Sequence, residues 1–314
     1  MGMNVADALV ETAVRAGVAR VYGVIGDSLN PVGDAIRRNG KLRWVHVRHE
    51  EVAAFAAGAE AQLTGRVTMC VGSAGPGHVH LINGLYDAQR SWAPVFALAS
   101  TIPRAEVGGC YFQETDPDLV FADCSVYNAT CSTHEQVPRV FEMAFQHAVA
   151  RQGVAVVSMP GDTAEQDIGL RALAPHSFPV EVAASAPSDR DVDAVAELID
   201  RHHKVTLFCG AGVRNAHAEV VALAGRLKAP VGYTLRGKEC IEHSNPYAVG
   251  LTGLIGFGGC PKALEDADLL LLVGTGFPYR QFIPTDKPSS KSTHVQSISG
   301  VGLGWTMALP AMLR

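Results

Sequence analysis

The segment Arg48-His-Glu-Glu-Val-Ala-Ala-Phe-Ala-Ala-Gly-Ala-Glu-Ala61 is the most informative part of the chain, because it predicts a very apolar helix that begins at two carboxylates. Burial at the start of such a helix favours the uncharged form of a carboxyl group. Glu50 is therefore a candidate general acid or base. The same pair also has a simpler explanation, since negative charge is stabilised at the positive end of a helix dipole.

A second informative segment runs from Gly75-Pro-Gly77 to Asn83-Gly-Leu-Tyr-Asp87, at another expected junction of a strand with a helix. Its glycines permit close approach to the backbone, although turn formation explains them equally well. His78 and His80 alternate with a spacing that occurs in metal sites. No Cys, Asp or Glu stands near them in the sequence, so we predict no bound metal.

Apolar strands alternate with helices along the first half of the chain. Strands are expected at residues 20–25, 42–47, 67–71, 94–99 and 154–158, with helices between them and a capping box at Asn4 and Asp7 before the first. This order predicts an α/β fold, a doubly wound parallel sheet covered on both faces. Ligands of such sheets bind beyond the carboxyl ends of the strands. Gly26, Glu50 and Gly75 to Gly77 fall there.

A second domain is expected after a proline-containing stretch. Pro175, Pro179 and Pro187 predict a linker. Ser188 and Asp191 then form a capping box, followed by a strand at residues 204–209 and by Gly210-Ala-Gly212 at the start of the next helix. This order is typical of a nucleotide-binding fold, but the motif is weak evidence because Asn215 occupies the third glycine position.

Composition excludes several classes of function. The 314 residues carry a net charge of -5 without a basic run, so we expect no nucleic-acid partner. The longest aliphatic run, Leu269 to Val273, is too short to cross a bilayer, and the first residues lack a signal-peptide pattern, which predicts a cytoplasmic protein. Seven cysteines with no Cys-x-x-Cys pair favour reduced thiols, mostly in the core.

Longer motifs carry a resemblance to a known family. They are Tyr22–Asn30, the His49-Glu50 segment, Tyr111-Phe-Gln-Glu-Thr115, Leu235-Arg-Gly-Lys-Glu239 and Gly253–Phe257. From about Asn4 to Pro288 the chain resembles thiamin diphosphate-dependent enzymes, most closely bacterial pyruvate oxidases, the quinone-reducing pyruvate dehydrogenases. The resemblance implies a pyrimidine-binding domain at residues 1–170, a linker at 171–187 and a truncated, Rossmann-like central domain at 188–288.

The resemblance also implies roles for individual residues. Glu50 would activate thiamin by exchanging a proton with its aminopyrimidine ring, and Phe112 and Gln113 would line the cavity for pyruvate, a small 2-oxo acid. Considered alone, Phe112 could be an ordinary core residue and Gln113 a loop residue. The implied cofactor-binding residues are Gly26, Gly75, Gly77 and Asn83 for the pyrimidine half of thiamin diphosphate, and Gly210, Gly212, Arg236, Thr252, Gly253, Leu254, Ile255, Thr275, Gly276, Phe277, Pro278 and Tyr279 for FAD.

Two observations weaken the implication of FAD. Gly276 stands where the family has a larger polar residue, and related thiamin enzymes without flavin keep the same central fold. Glycines 210 and 212 also have a simple explanation as parts of a turn.

The last residues depart from the family. The resemblance ends after Pro288, and a shift of one nucleotide in the back-translated codons restores a strand of the family's type, so residues 289–314 are predicted to be a frameshifted tail. The diphosphate-binding domain, which holds magnesium, and the membrane-binding carboxyl end of the family would then be absent. We expect neither turnover by the chain alone nor membrane association.

The resulting functional prediction is the amino-terminal part of a pyruvate oxidase, a family whose full-length members form homo-oligomers. The full enzyme would convert pyruvate to acetate and carbon dioxide and pass electrons through FAD to a quinone. Two alternatives stay open: a fragment of an acetolactate synthase-like enzyme, and a non-catalytic dimerisation or regulatory module that pairs with an intact paralogue.

Overall fold

A computed structural model describes residues 2–168, 187–284 and 294–298. The chain divides into two units, Met1–Val182 and Ala183–Arg314. Of the predicted linker only Pro187 lies among the described residues, and of the predicted tail only residues 294–298 do. The described helices include none that is both long enough and apolar enough to cross a membrane.

Unit 1 is built on a sheet of six parallel strands. The strands are β1 (Arg20–Gly23), β2 (Arg43–His46), β3 (Thr68–Gly72), β4 (Val95–Thr101), β5 (Tyr127–Thr130) and β6 (Val154–Pro160). The helices are α1 (Val5–Arg15), α2 (Asn30–Asn39), α3 (Glu50–Thr64), α4 (Pro76–Val79), α5 (Ile82–Arg90), α6 (Pro117–Val120) and α7 (Val137–Arg151). The strand order is β2-β1-β3-β4-β6-β5, which confirms the predicted doubly wound α/β fold.

Helices cover both faces of this sheet, and its central strands β3, β4 and β6 are therefore buried along nearly their whole length. Phe96 and Leu98 of β4 belong to the core under α1, α2 and α7, where the Phe96 ring stacks on Phe145 at 4.3 Å. Val95 and Ala97 of the same strand belong to the core under α3 and α5. Burying each large side chain contributes about 1.5–3 kcal/mol to stability, so β4 anchors both layers.

Unit 2 repeats the architecture on a smaller scale. Its strands are β7 (Val205–Cys209), β8 (Val231–Tyr233), β9 (Ala248–Leu251), β10 (Phe257–Gly258), β11 (Leu269–Val273) and β12 (His294–Ile298). Its helices are α8 (Asp189–Asp200), α9 (His217–Leu227), α10 (Lys238–Ile241) and α11 (Cys260–Asp266). The order is β10-β9-β8-β7-β11-β12, parallel except where β10 pairs with β9.

The predicted helix starts are confirmed at Asn4 and Ser188, although the complete capping box forms at Asn4, and at Ser188 the Asp191 carboxylate accepts from the hydroxyl instead of the backbone. Asn4 caps α1 by accepting a hydrogen bond from the backbone of Asp7, whose side chain accepts one from Asn4 in return. Ser188 caps α8 by accepting from the backbone of Asp191. Each side chain satisfies a donor that the first helical turn leaves free.

Two helices begin at other residues than expected. The helix expected after Gly77 is divided into α4 and α5, because Leu81 N bonds the carbonyl of His78, three residues back, and tightens the turn between them. The helix expected directly after Gly210-Ala-Gly212 begins only at His217. The Gly212 N–H instead donates across to the Gly274 carbonyl at 3.0 Å, which holds this turn against the loop after β11.

β12 lies within the predicted tail. It pairs in parallel with β11 along all of its length, from Leu269 opposite His294 to Val273 opposite Ile298. The frameshift origin of residues 289–314 stays a prediction.

Candidate active site

The candidate site of unit 1 lies where the strand order reverses. The chain passes from β1 outward to β2 and then back to β3 on the other side of β1, so the loops after β1 and β3 diverge and leave a crevice at their carboxyl ends. Gly26 follows β1, Glu50 follows β2 and Gly75 follows β3. The topology therefore brings three of the predicted site segments to one edge of the sheet.

Glu50 is the first residue of α3 and is only 8% exposed. Its Oε2 hydrogen-bonds Nδ1 of His80 at 3.1 Å, so one member of the pair carries the shared proton. His49 caps α3, with Nδ1 accepting from the backbone of Glu51 at 3.2 Å. Glu51 in turn accepts from the Asn83 amide at 3.0 Å, which ties α3 to α5. Of the two carboxylates, Glu50 is the one held in the crevice beside the glycines.

Residues Gly75–Gly77 are called the glycine loop below, and its two glycines are packed too closely to neighbouring atoms for larger residues. A Cβ on Gly77 would lie 2.6 Å from Ser73 Oγ and 3.4 Å from Glu50 Oε1. A Cβ on Gly26 would lie 2.6 Å from the same hydroxyl. Because Gly77 carries no Cβ, the space beside Oε1 of Glu50 is not filled by a side chain at that position. A ring nitrogen of a cofactor fits this arrangement, since the oxygen that faces the glycines is distinct from the oxygen that binds His80.

The glycine loop also contacts the second predicted part of the site. Gly75 has a φ of +69°, a conformation that side chains rarely adopt. A Cβ there would lie 3.0 Å from the Cβ of Gln113. Phe112, beside Gln113, is 83% exposed, so it is not the core residue of the alternative interpretation. The structure thus joins Glu50, the glycine loop and Gln113 in one continuous arrangement, with an exposed aromatic ring next to it.

His49, Glu50 and His80 are a group that could be considered for a metal, because their candidate ligand atoms lie within 4.8 Å of one another. The two imidazoles, however, stack at 4.2 Å with their planes only 25° apart. The lone pair of an imidazole nitrogen lies in the ring plane, so nearly parallel rings do not converge on one ion. The absence of a bound metal stays our prediction, and the geometry suits proton sharing better.

Sequence reasoning missed His80, Ser73 and the role of His78. His78 is fully buried, and burial lowers the pKa of its imidazole below the ordinary value. The histidines attracted notice through their spacing, but the carboxylate that meets His80 stands 30 residues away in the chain. A tertiary contact of this kind leaves no local sequence pattern. The signal that could have indicated it is that Glu50 and His80 both follow the carboxyl end of a strand of the same sheet.

In unit 2 the reversal of strand order falls between β7 and β11. The predicted FAD segments follow the carboxyl ends of four adjacent parallel strands: residues 210–212 after β7, Arg236 after β8, residues 252–255 after β9 and residues 275–279 after β11. They therefore share one edge of the sheet. A Cβ on Gly210 would lie 2.5 Å from the Gly274 carbonyl, so this glycine is required by loop packing whether or not a ligand binds.

The remaining side chains of this edge differ in accessibility. Thr252 is buried, whereas Leu254 and Ile255 are 86% and 64% exposed. Thr275 accepts a hydrogen bond from the backbone of Phe277, whose ring packs edge-on against Phe208 at 5.0 Å. Arg236, Pro278 and Tyr279 are exposed, and a Cβ on Gly276 would meet no atom within 4 Å. Exposed apolar side chains beside a glycine-lined crevice fit a flat aromatic ligand, and FAD binding stays a prediction.

Comparison with known proteins matches each of the two units to a domain of one enzyme family. Residues 3–120 match the family described as thiamine pyrophosphate enzyme, N-terminal TPP binding domain, and residues 192–299 match its central domain. The second match runs beyond Pro288, where we placed the end of the resemblance.

Three relatives show how the similarity is distributed. An uncharacterized 42.6 kDa protein of Pseudomonas amyloderamosa is 52% identical over 283 residues, 90% of this chain and 72% of the relative. The pyruvate oxidase of Lactiplantibacillus plantarum is 34% identical over 285 residues, 87% of this chain and 46% of the oxidase. The acetolactate synthase of Arthrospira platensis is 31% identical over 286 residues, 87% of this chain and 49% of the synthase.

The chain thus spans about half the length of the two enzymes that it matches. The matches cover both of its units and include Glu50, the glycine loop and the crevice of unit 2. The chain therefore belongs to the family of thiamine pyrophosphate enzymes and comprises their N-terminal and central domains.

Proposed function

We propose that this chain forms the thiamin-activating and central domains of a pyruvate oxidase. The complete enzyme would convert pyruvate and water to acetate, carbon dioxide and protons, and would pass the two electrons released through FAD to a quinone. The observation that carries this proposal is the buried carboxylate of Glu50, whose Oε2 bonds His80 and whose Oε1 lies beside Gly77 of the glycine loop. Similarity to a pyruvate oxidase supports the choice of reaction.

Each residue of the site has a chemical role in this proposal. Thiamin diphosphate, when bound, would supply a carbon nucleophile and an electron sink for decarboxylation. Oε1 of Glu50 exchanges a proton with the pyrimidine ring, while His80 holds Oε2 and so orients the carboxyl group. Phe112 offers an apolar wall and Gln113 an amide to orient the 2-oxo acid.

We expect no turnover of pyruvate by this chain alone. The pyruvate oxidase and the acetolactate synthase are about twice as long as the part that this chain matches. The resemblance implies that a further domain holds the diphosphate and magnesium. We propose that such a domain, in the same enzyme or in a partner, completes the site. If neither the same enzyme nor a partner provides such a domain, the chain would be a non-catalytic dimerisation or regulatory module.

Acetolactate synthesis is the second candidate, because a synthase matches nearly as well as the oxidase. The two reactions share every step up to decarboxylation and differ in what receives the two-carbon unit. The segments 111–115 and 235–239 favour the oxidase. Product analysis separates the two candidates, since one forms acetate with reduction of a quinone or dye and the other forms acetolactate without it.

The experiment begins with sequencing of the gene across the codons for residues 286–300 and with translation of all three reading frames downstream. The chain, and the chain extended by any diphosphate-binding domain found there, are assayed with pyruvate, thiamin diphosphate, magnesium, FAD and a quinone or dye. We expect acetate and dye reduction from the extended protein only. Dye reduction by the 314-residue chain would contradict the need for a further domain, and acetolactate as the product would contradict the oxidase.

Two variants of the extended protein test the role of Glu50. Glu50→Gln keeps the shape of the side chain but removes its proton exchange, and we expect a rate about 10²–10⁴-fold lower. Glu51→Gln is the matched control, because the Glu51 side chain bonds the Asn83 amide rather than His80, and its rate should stay within about threefold of the unchanged protein. Equal losses in both variants would refute the assignment.

A further inference from the structure

His78 is the buried polar group that the proposed chemistry leaves unexplained. It follows the glycine loop directly and has no exposed surface. Its Nδ1 lies 2.8 Å from the backbone carbonyl of Ser100 at the end of β4, and its Nε2 lies 2.7 Å from the hydroxyl of Thr115. The edge of its ring meets Phe121 with ring centres 5.8 Å apart. Both ring nitrogens are therefore engaged inside unit 1.

The partners determine where the proton of His78 lies. A carbonyl oxygen only accepts hydrogen bonds, so Nδ1 must carry the hydrogen that it donates to Ser100. In the neutral ring Nε2 is then an acceptor, and it takes the hydroxyl hydrogen of Thr115. Burial favours this neutral ring, because the charged form would lose its solvation. His78 thus acts as a fixed acceptor aimed at Thr115.

Thr115 ends a surface segment that includes the substrate-facing residues. In this segment, residues 108–115 and called the Phe112 segment below, two bonds are internal: Gly108 N donates to the Glu114 side chain, and Glu114 N donates to the Tyr111 carbonyl. These bonds shape the segment but do not attach it to the sheet. The bond from Thr115 to His78 does attach it, close to the point where Gln113 contacts Gly75.

We propose that His78 is a positioning residue that holds the Phe112 segment against the glycine loop, and so places Phe112 and Gln113 beside Glu50. Their role toward a 2-oxo acid rests on the proposed function. The attachment itself is a property of the unliganded chain. The attachment acts through Thr115, because Nε2 of His78 accepts a hydrogen bond from its hydroxyl. Holding Thr115 in place also restrains the backbone of residues 113–115.

Amide hydrogen exchange of the Phe112 segment tests the attachment in the 314-residue chain. Thr115→Val has nearly the same shape but cannot donate to His78, and we expect the amides of the segment to exchange about 10-fold faster. Thr115→Ser keeps the hydroxyl and should restore slow exchange. Thr68→Val is the control: it removes another buried hydroxyl, which donates to the Ala57 carbonyl at 2.9 Å, and should leave the segment unchanged.

The tautomer of His78 provides a second readout. Nitrogen NMR of the ring, assigned by comparison with His78→Gln, should show hydrogen on Nδ1 and a lone pair on Nε2. Hydrogen on Nε2, unchanged exchange in Thr115→Val, or equal acceleration in Thr68→Val would each overturn the proposal. Because neither readout needs cofactor or pyruvate, failure here would leave the oxidase assignment untouched, and failure of that assignment would leave the attachment intact.

Discussion

Burial lowers the pKa of His78 from its ordinary value of 6.5, and its bond to the Ser100 carbonyl only partly opposes this shift. The unfolded chain therefore takes up a proton at this residue before the folded one does. The contribution of the neutral His78 ring to the free energy of unfolding is fully present above pH 6.5. It is lost as the pH falls below 6.5 toward the lower pKa of the folded state.

We expect this loss to disappear in His78→Gln, which has no group to titrate there. Urea unfolding of unit 1 at about pH 7.5 and about pH 5.5 should show that the advantage of the unchanged protein over the variant is larger at the higher pH. An advantage that is the same at both values, or larger in acid, would show that His78 is not buried as a neutral ring.

Cys110 is the exposed member of the seven cysteines, and the other six are buried as predicted from the sequence. Burial raises the pKa of Cys70 and Cys131 to about 12 and that of Cys124 and Cys260 to about 11, which suppresses their thiolates. We expect one thiol of the native protein to react rapidly with a disulfide reagent, and all to react after denaturation. Cys110→Ser should abolish the rapid phase, and a rapid phase that survives would contradict the burial of the others.

Glu50 could be proposed from sequence because its motif is local and its helix is apolar. The role of His80 could not be proposed, since its partner Glu50 stands 30 residues away in the chain and no local motif indicates the contact. Phe112 was left open between a core and a site residue, and only its exposure excludes the core. Local sequence thus indicates candidates, while the contacts that select among them are tertiary.

Among the elements, α3 and α5 matter most, because Glu50 begins α3 and His80 stands two residues before the start of α5. Gly84 of α5 makes the packing of these two helices possible: a Cβ there would lie 2.5 Å from the Cβ of Ala54 and 2.6 Å from the backbone nitrogen of Phe55. Backbone cannot move aside as a flexible side chain can. The helices would have to separate.

We expect Gly84→Ala to lower the free energy of unfolding of unit 1 by about 1–3 kcal/mol, although alanine is the better helix former. Gly276→Ala is the control, because a Cβ there meets no atom within 4 Å. Thermal unfolding followed by circular dichroism measures both. A Gly84→Ala protein as stable as the control would mean that α3 and α5 are not in such close contact.

The elements that sequence predicts well are those with a capping signal or an apolar run. Asn4 and Ser188 start their helices as expected. β5 was not predicted, since Tyr127–Thr130 is a half-buried strand at the sheet edge without an apolar run. The late start of α9 was missed for a different reason, because the preceding glycine turn is held by the loop after β11, far along the chain.

At the scale of the whole molecule, every hydrophobic core cluster of the described residues lies within one unit. The two cores of unit 1 cover the two faces of its sheet, and the two smaller cores of unit 2 do the same. The alternation of strands and helices was sufficient to predict two α/β sheets. It could not supply the strand orders, and therefore could not locate the reversals between β1 and β3 and between β7 and β11 where the candidate sites lie.

Separate cores imply separate folding, so we expect residues 1–182 to fold without unit 2. The melting temperature of this fragment should lie within about 3 °C of that of unit 1 in the whole chain. A fragment that ends at Arg151 is the matched control, because it removes β6, a strand of seven buried residues that lies between β4 and β5 and pairs with each. It should fail to fold. If the fragment of residues 1–182 is itself unfolded while the whole chain melts cooperatively, the cores of the two units depend on each other and the division into independent units is wrong.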